Sequence, residues 1–294
     1  MNPIRKWFCK RDGSSSRGAH PKDALGCEQW CANAAFHPAL LPSPSLMRRE
    51  GIDVLEDWFR WAEEWSVLLR IYGKLTPESA VLEIGCGLGR IAFALRFVLS
   101  KAGSYFGFDI CKYKIEFLEE TFQQVYPNFR FIWSDIRNTT YNPCGLVDAS
   151  VYRFPSPENS FDLVYAASVF THMLPEGTAN YLRETSRVLK PGGRCVFSFF
   201  MLDNYRRGQK RPLSFNSSYF NLDYPYGGYG DEFAVAQPQN PEDMTGYKAG
   251  FLQRLARQAG LRLIEPPLEG MWSGTARNWI GVQDVMVLGK CSDL

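Results

Sequence analysis

Apolar positions along this chain change their period several times, and each change marks an element. Between Ser45 and Leu75, Ile52, Leu55, Trp58, Phe59, Ala62, Trp65, Leu69 and Tyr72 recur at steps of three and four, one face of an amphipathic helix. Short apolar runs then alternate with helical spacing: strands over 81–84, 104–108 and 129–133, helices over 89–100 and 112–125. A stretch from Asn138 to Asn159 reads as loop with a short helix. It is followed by a strand over 161–165, a helix over 177–189 and a strand over 193–200. A helix from Tyr247 to Ala259 and strands over 261–264 and 283–288 complete the pattern. Such alternation predicts an α/β, doubly wound sheet of about seven strands, parallel where right-handed crossovers join them. Its ligand belongs at the carboxyl ends of the first and fourth strands, where the winding reverses.

Two stretches break the rhythm. From 202 to 244 the period disappears, and Tyr205, Phe215, Tyr219, Phe220, Tyr224, Tyr226, Tyr229 and Phe233 lie amid Gly, Pro, Asn and Asp. A long loop in a compact domain is functional or disordered, and the aromatic content argues against disorder, so this segment reads as a substrate lid inserted after the fifth strand. Residues 1–45 are rich in Ser, Gly, Pro and basic side chains and read as an arm, partly disordered or capping the site; residues 46–294 read as one domain.

The organising stretch is Val81 to Leu95, a buried strand, a bend with Gly85, Gly87 and Gly89, and the start of a helix. Glycines without Cβ and free N–H groups at a helix start suit a ligand lying flat on the turn. A dinucleotide fingerprint wants glycine at the sixth position, where Arg90 stands. Glu83, two residues before the bend, disfavours a diphosphate and favours a cationic ligand.

Glu-Ile-Gly-Cys-Gly-Leu-Gly over 83–89 resembles the first motif of class I S-adenosylmethionine-dependent methyltransferases. Asp109 at the end of the second strand, Phe131 to Ile136, Phe161 to Met173, and Leu189 to Phe199 resemble the following motifs, in the right order across about residues 78–200. The resemblance implies a Rossmann-like fold whose last strand runs antiparallel, and S-adenosyl-L-methionine as cofactor. It places Glu83 at the methionine amino end, Gly85, Cys86, Gly87 and Gly89 along the cofactor, and Asp109 on the ribose hydroxyls. Ile110 and Ile136 would flank the adenine, Asp135 would accept from its amine, and the small Ala166 and Ala167 would leave room beside the sulfonium. The helix before the first strand would cover the methionine end, or serve only to build the core.

A sulfonium methyl is already electrophilic, so the site must mainly align nucleophile, carbon and sulfur and keep water out. His172 is the candidate base, since an imidazole with an ordinary pKa near 6.5 can take a hydroxyl proton; packing or orienting its helix is the competing role. Asp203, Asp231, Glu232 and the tyrosines of the lid are the reserves. Asp203-Asn204 matches one half of a catechol-type metal site, but Ala166, Ala167 and Ser168 leave the other half empty, so no metal is expected. Arg206, Arg207, Lys210 and Arg211 either meet an anionic acceptor or form a solvated surface.

These features point to methyl transfer to a small-molecule or glycan acceptor at a hydroxyl oxygen. The alternatives are N- or C-methylation of a natural product, an NAD-dependent dehydrogenase, which Glu83 and Arg90 oppose, and a catalytically silent binding protein. A balance of 33 basic against 31 acidic residues, net +2, supplies no whole-protein field for nucleic acid, although residues 1–22 carry six Lys or Arg against one Asp. Cysteines at 9, 27, 31, 86, 111, 144, 195 and 291 lack paired C-x-x-C spacing and read as reduced thiols. Cys27 and Cys31 with His20 or His37 are weighed as a zinc site and set aside for want of a second cysteine pair. No apolar run reaches the ~18 residues of a membrane span or follows the basic start as a signal would, so a cytoplasmic enzyme without a membrane span is expected.

Overall fold

The computed structural model describes residues 40–205, 221–274 and 280–290. The chain divides at Asp53 into two compact units. In the first, α1 (Pro44–Arg49) starts where the Ser43 hydroxyl accepts from the Leu46 N–H at 3.3 Å and Pro44 occupies the first turn. The continuous periodicity from Ser45 predicts one helix, but the structure breaks it: Gly51 sits at φ +70°, a left-handed conformation that ends α1, and α2 (Leu55–Ile71) begins anew in the second unit.

The second unit is built on a seven-stranded sheet. Its strands are β1 (Ala80–Ile84), β2 (Ser104–Asp109), β3 (Phe129–Trp133), β6 (Phe161–Ala166), β7 (Leu189–Phe199), β11 (Leu261–Leu263) and β12 (Asp284–Lys290). Their spatial order is β11-β12-β7-β6-β1-β2-β3. Strands β3, β2, β1, β6 and β7 pair in parallel, and β12 runs antiparallel to both neighbours, as the resemblance implied. Parallel strands are buried on both faces, which is why they read as continuous apolar runs. On one face Trp65 of α2 stacks on Tyr165, and Phe122 of α4 (Lys112–Val125) packs on Phe129 and Phe131; α3 (Arg90–Leu95) lies there too, its buried Ile91 and Phe93 turned inward. On the other, α5 (Pro175–Val188) and α6 (Ala249–Gln258) cover Phe108, Ile136, Phe154, Phe197 and Phe199.

Other elements differ from the sequence pattern too: the helix expected over 89–100 ends at Leu95, and Tyr247 closes a strand before the last helix starts at Ala249. The stretch 138–159 forms no helix; a two-residue strand β5 (Val147–Asp148) pairs with β4 (Ile136–Arg137) instead. β7 starts four residues earlier than expected, because Gly192 at φ +76° allows a register shift that keeps Lys190 to Gly193 in the strand. The described residues from 224 to 247 contain a three-stranded antiparallel sheet of β8 (Tyr224–Pro225), β9 (Phe233–Val235) and β10 (Thr245–Tyr247) where the sequence pattern showed no period. Phe233 and Tyr247 lie 4.8 Å apart, both fully buried in the main core. Phe215, Tyr219, Phe220, the basic cluster 206–211 and the cysteines and histidines before residue 40 lie outside the described residues.

Candidate active site

The glycine bend turns at the carboxyl tip of β1. Gly85, Gly87 and Gly89 all have positive φ, and the N–H groups of Gly85 and Cys86 donate to the Phe108 carbonyl at 2.8 and 3.0 Å, tying the bend to β2. A Cβ on Gly85 would strike Val169 at 2.5 Å and one on Gly89 would strike Leu118 at 2.5 Å, so these two glycines serve close packing. A Cβ on Gly87 would meet nothing within 4 Å: the bend is open there, on the side where a ligand can lie against backbone. The Cys86 side chain is turned onto Gly107 and buried, and burial pushes its thiol well up, so Cys86 offers a ligand its backbone and not a nucleophile.

Asp109 closes the bend. Its Oδ2 accepts from the Gly87 N–H and its Oδ1 from the Cys111 N–H, both at 2.8 Å. Two carboxylate oxygens hold about four acceptor positions, so each keeps one for a hydroxyl donor. Ile110 beside it is partly buried against the core, and its carbonyl accepts from Trp133 Nε1 at 3.0 Å.

Glu83 lies beneath the bend and is 2% exposed. Its Oε2 accepts from the phenols of both Tyr105 and Tyr165, the latter at 2.7 Å. Burial, opposed by these hydrogen bonds and by the charge of Arg90, pushes the carboxyl up to about 8. Room for the Tyr105 ring exists because Gly107 stands opposite Glu83 in the β1–β2 register; a Cβ there would sit 3.0 Å from the Tyr105 hydroxyl. Arg90, the residue that departs from a dinucleotide fingerprint, stacks its guanidinium 4.7 Å from the Trp61 ring of α2.

Past β6, Ala166 is buried and Ala167 partly so, and Ser168 takes φ +61°, an uncommon conformation for a residue with a side chain. It is held by its N–H to Ser198 Oγ at 2.8 Å and by Gln283 Nε2 to its own Oγ at 2.7 Å. Past β3, Asp135 Oδ1 accepts from Asn142 Nδ2 at 3.1 Å, and Ile136 is buried in the core as part of β4.

His172 ends a short 3-10 turn, Phe170–His172. Its Nδ1 is 3.3 Å from the Glu242 carbonyl and its Nε2 is 3.3 Å from the Tyr141 hydroxyl. A carbonyl only accepts, so Nδ1 carries the hydrogen and Nε2 accepts from the phenol. Burial lowers the imidazole pKa, which favours this neutral form. Tyr141 reaches His172 from a loop clasped to a distant segment: Thr139 donates its N–H to Glu242 Oε2 and its hydroxyl to Asn240 Oδ1, both at 2.7 Å. Two of the reserve bases are engaged elsewhere. Asp203 Oδ2 caps α6 through the Ala249 N–H at 2.7 Å, and Glu232 pairs with Arg254 at 2.5 Å.

The structure thus brings Glu83, the glycine bend, Asp109, Asp135, Ala167 and His172 to one end of the sheet, the carboxyl ends of β1, β2, β3 and β6. Spacing did not reveal Tyr105, Tyr165 or Tyr141. The first two share a strand face with Glu83, and an acid between two tyrosine-bearing strands was the available signal; Tyr141 comes from a loop with no period. The open Gly87 face, the unused acceptor positions of Asp109 and a buried acid below fit a nucleoside with an amino-acid tail. Among the described residues no helix is long and apolar enough to cross a membrane.

Residues 82–197 match the family model described as "Methyltransferase domain". The chain is 25% identical over 215 residues to a 2-phytyl-1,4-naphtoquinone methyltransferase of Nostoc punctiforme, covering 71% of this chain and 84% of that protein. It is 26% identical over 155 residues to an uncharacterized methyltransferase of Schizosaccharomyces pombe, about half of each protein, 52% and 51%. A solved SAM-dependent methyltransferase from Methanosarcina mazei has the same fold, with TM-score 0.50 and 19% identity over 77% of this chain and 98% of that one. Residues 82–197 thus form a methyltransferase domain, and in its ordered motifs and its sheet the chain is similar to S-adenosylmethionine-dependent methyltransferases.

Proposed function

We propose that the enzyme methylates a hydroxyl oxygen of a small molecule. The observation that carries the cofactor side of this reading is the bend closed on Asp109 with Gly87 left open. Bound S-adenosylmethionine supplies an electrophilic methyl carbon. Asp109 holds the ribose hydroxyls, Glu83 the amino end and Asp135 the adenine amine, while Ile110 gives the ring an apolar flank. The Val169 and Ala167 segment, pinned by Gln283 and Ser198, walls the reacting centre against water.

His172 receives the acceptor's proton in this reading. Both its ring nitrogens are engaged, so the proton passes through the Tyr141 hydroxyl or displaces it. A planar apolar acceptor is favoured over a glycan by Leu146, whose N–H bonds the Asp135 carbonyl while its side chain is 86% exposed at the same end of the sheet. The Nostoc relative, named for a naphtoquinone, points the same way. The test is release of S-adenosylhomocysteine on adding acceptors from a panel of naphthoquinols, phenols and sugars. Turnover on phenolic hydroxyls supports the reading; methylation only at ring carbon, nitrogen or sugar overturns it.

A further inference from the structure

An acid in the middle of a parallel sheet is costly, because a charge taken from water is compensated only by close partners. Glu83 occupies such a place. On its strand face it meets Tyr105 from β2 and Tyr165 from β6, with Arg90 from α3 nearby and Asp109 and Cys86 at the tips of β2 and β1. Both phenols converge on Oε2, although a carboxyl has two oxygens to satisfy. Trp65 holds the Tyr165 ring from above at 6.1 Å, and Gly107 makes room for the Tyr105 hydroxyl. The carboxyl is thereby fixed in one orientation, with Oε1 left for another donor.

Resting on the cofactor reading above, we propose that Tyr105 and Tyr165 are positioning residues that grip Glu83 by one oxygen, and that a ligand ammonium docking on the other oxygen drives one proton from this cluster to solvent. Without ligand the acid is held neutral, since burial outweighs two phenols and one arginine. An ammonium at Oε1 adds a full charge at contact distance in a place screened from water, which favours the carboxylate. The carboxyl proton leaves to buffer, the ammonium keeps its own, and no covalent bond to carbon changes. Cofactor capture and proton release become one event, and affinity rises with pH up to the ammonium's own titration.

Calorimetry of the full chain with S-adenosylhomocysteine at pH 6.5, in buffers of different ionisation enthalpy, counts the linked protons. Close to one released is expected, declining as pH passes 8, and none for 5′-methylthioadenosine, which has the nucleoside but no ammonium. Glu83→Gln should abolish the release and weaken S-adenosylhomocysteine, and Tyr105→Phe with Tyr165→Phe should weaken it about tenfold or more, neither changing methylthioadenosine affinity. Binding with no linked proton, or equal release with both ligands, overturns this inference alone. No heat from either ligand overturns the cofactor assignments beneath it.

Discussion

At the scale of single residues, the unliganded Glu83 makes stability depend on pH in a direction unusual for an acid. An unfolded chain ionises it from about pH 4.5, while the fold keeps it neutral to about 8, so its contribution is whole below the first value and is lost as pH climbs through the second. In thermal melts without ligand, Glu83→Gln should therefore gain on the wild type more at pH 8 than at pH 5; a constant difference would show that Glu83 is ionised in the fold. Asp109→Ala removes the acceptor of two backbone N–H groups as well as the ribose partner, and should weaken S-adenosylhomocysteine by about 1–3 kcal/mol in titration calorimetry. Unchanged affinity would take Asp109 out of the site. Once an acceptor is found, His172→Ala should cut turnover roughly 100-fold if the imidazole takes the proton, and Tyr141→Phe should shift the pH profile of kcat. Near wild-type rates in both would leave His172 a packing residue.

At the scale of elements, the site depends on joints between strands more than on the strands. Asp284 at the start of β12 is 5% exposed and accepts from the N–H groups of Met201 and Gly270, both at 2.7 Å, and from the Trp272 indole. That one carboxylate joins the end of β7, the turn before β12 and β12 itself. Asp284→Ala would strand three buried donors and should cost at least about 3 kcal/mol, read from denaturant melts, and a loss under 1 kcal/mol would contradict this bonding. The bend has a comparable dependence: Gly89→Ala asks an L-residue to adopt φ +74° against Leu118 and should lower stability by about 1–3 kcal/mol. These joints were partly legible. Helix 112–125 and strand 129–133 appear as their spacing predicts, because an amphipathic period and a short apolar run are local properties. The break at Gly51 rests on one local glycine inside an otherwise continuous period, while the pairing of Ile136–Arg137 with Val147–Asp148 and the small sheet over 224–247 were not legible, because partners outside any one local run decided them.

At the scale of the molecule, the doubly wound sheet gathers loops from four strands at one end, so a ligand there should stabilise the whole second unit. S-adenosylhomocysteine at about 100 times its Kd is worth about 2.7 kcal/mol, which should raise the melting temperature by several degrees in a scanning measurement, with no such shift from NAD. Equal shifts from both, or from NAD alone, would contradict the nucleoside chosen. The same gathering makes α2 part of the site end, through Trp65 on Tyr165 and Trp61 on Arg90, although nothing in its own spacing separates that role from core packing.

The order of motifs along the chain determined the fold class, the cofactor and the acids at the strand tips, since a glycine bend after a buried strand and an acid after the next one are short-range features with few other solutions. Only the tertiary structure decided the state of those groups. Burial pushes Glu83 toward the neutral acid against the hydrogen bonds of two tyrosines from neighbouring strands, a loop residue occupies His172, and Asp203 and Glu232 are spent on a helix start and an ion pair. Burial and hydrogen-bond partners set what an ionisable side chain can do, and both arise from residues that are distant in sequence and adjacent in the fold.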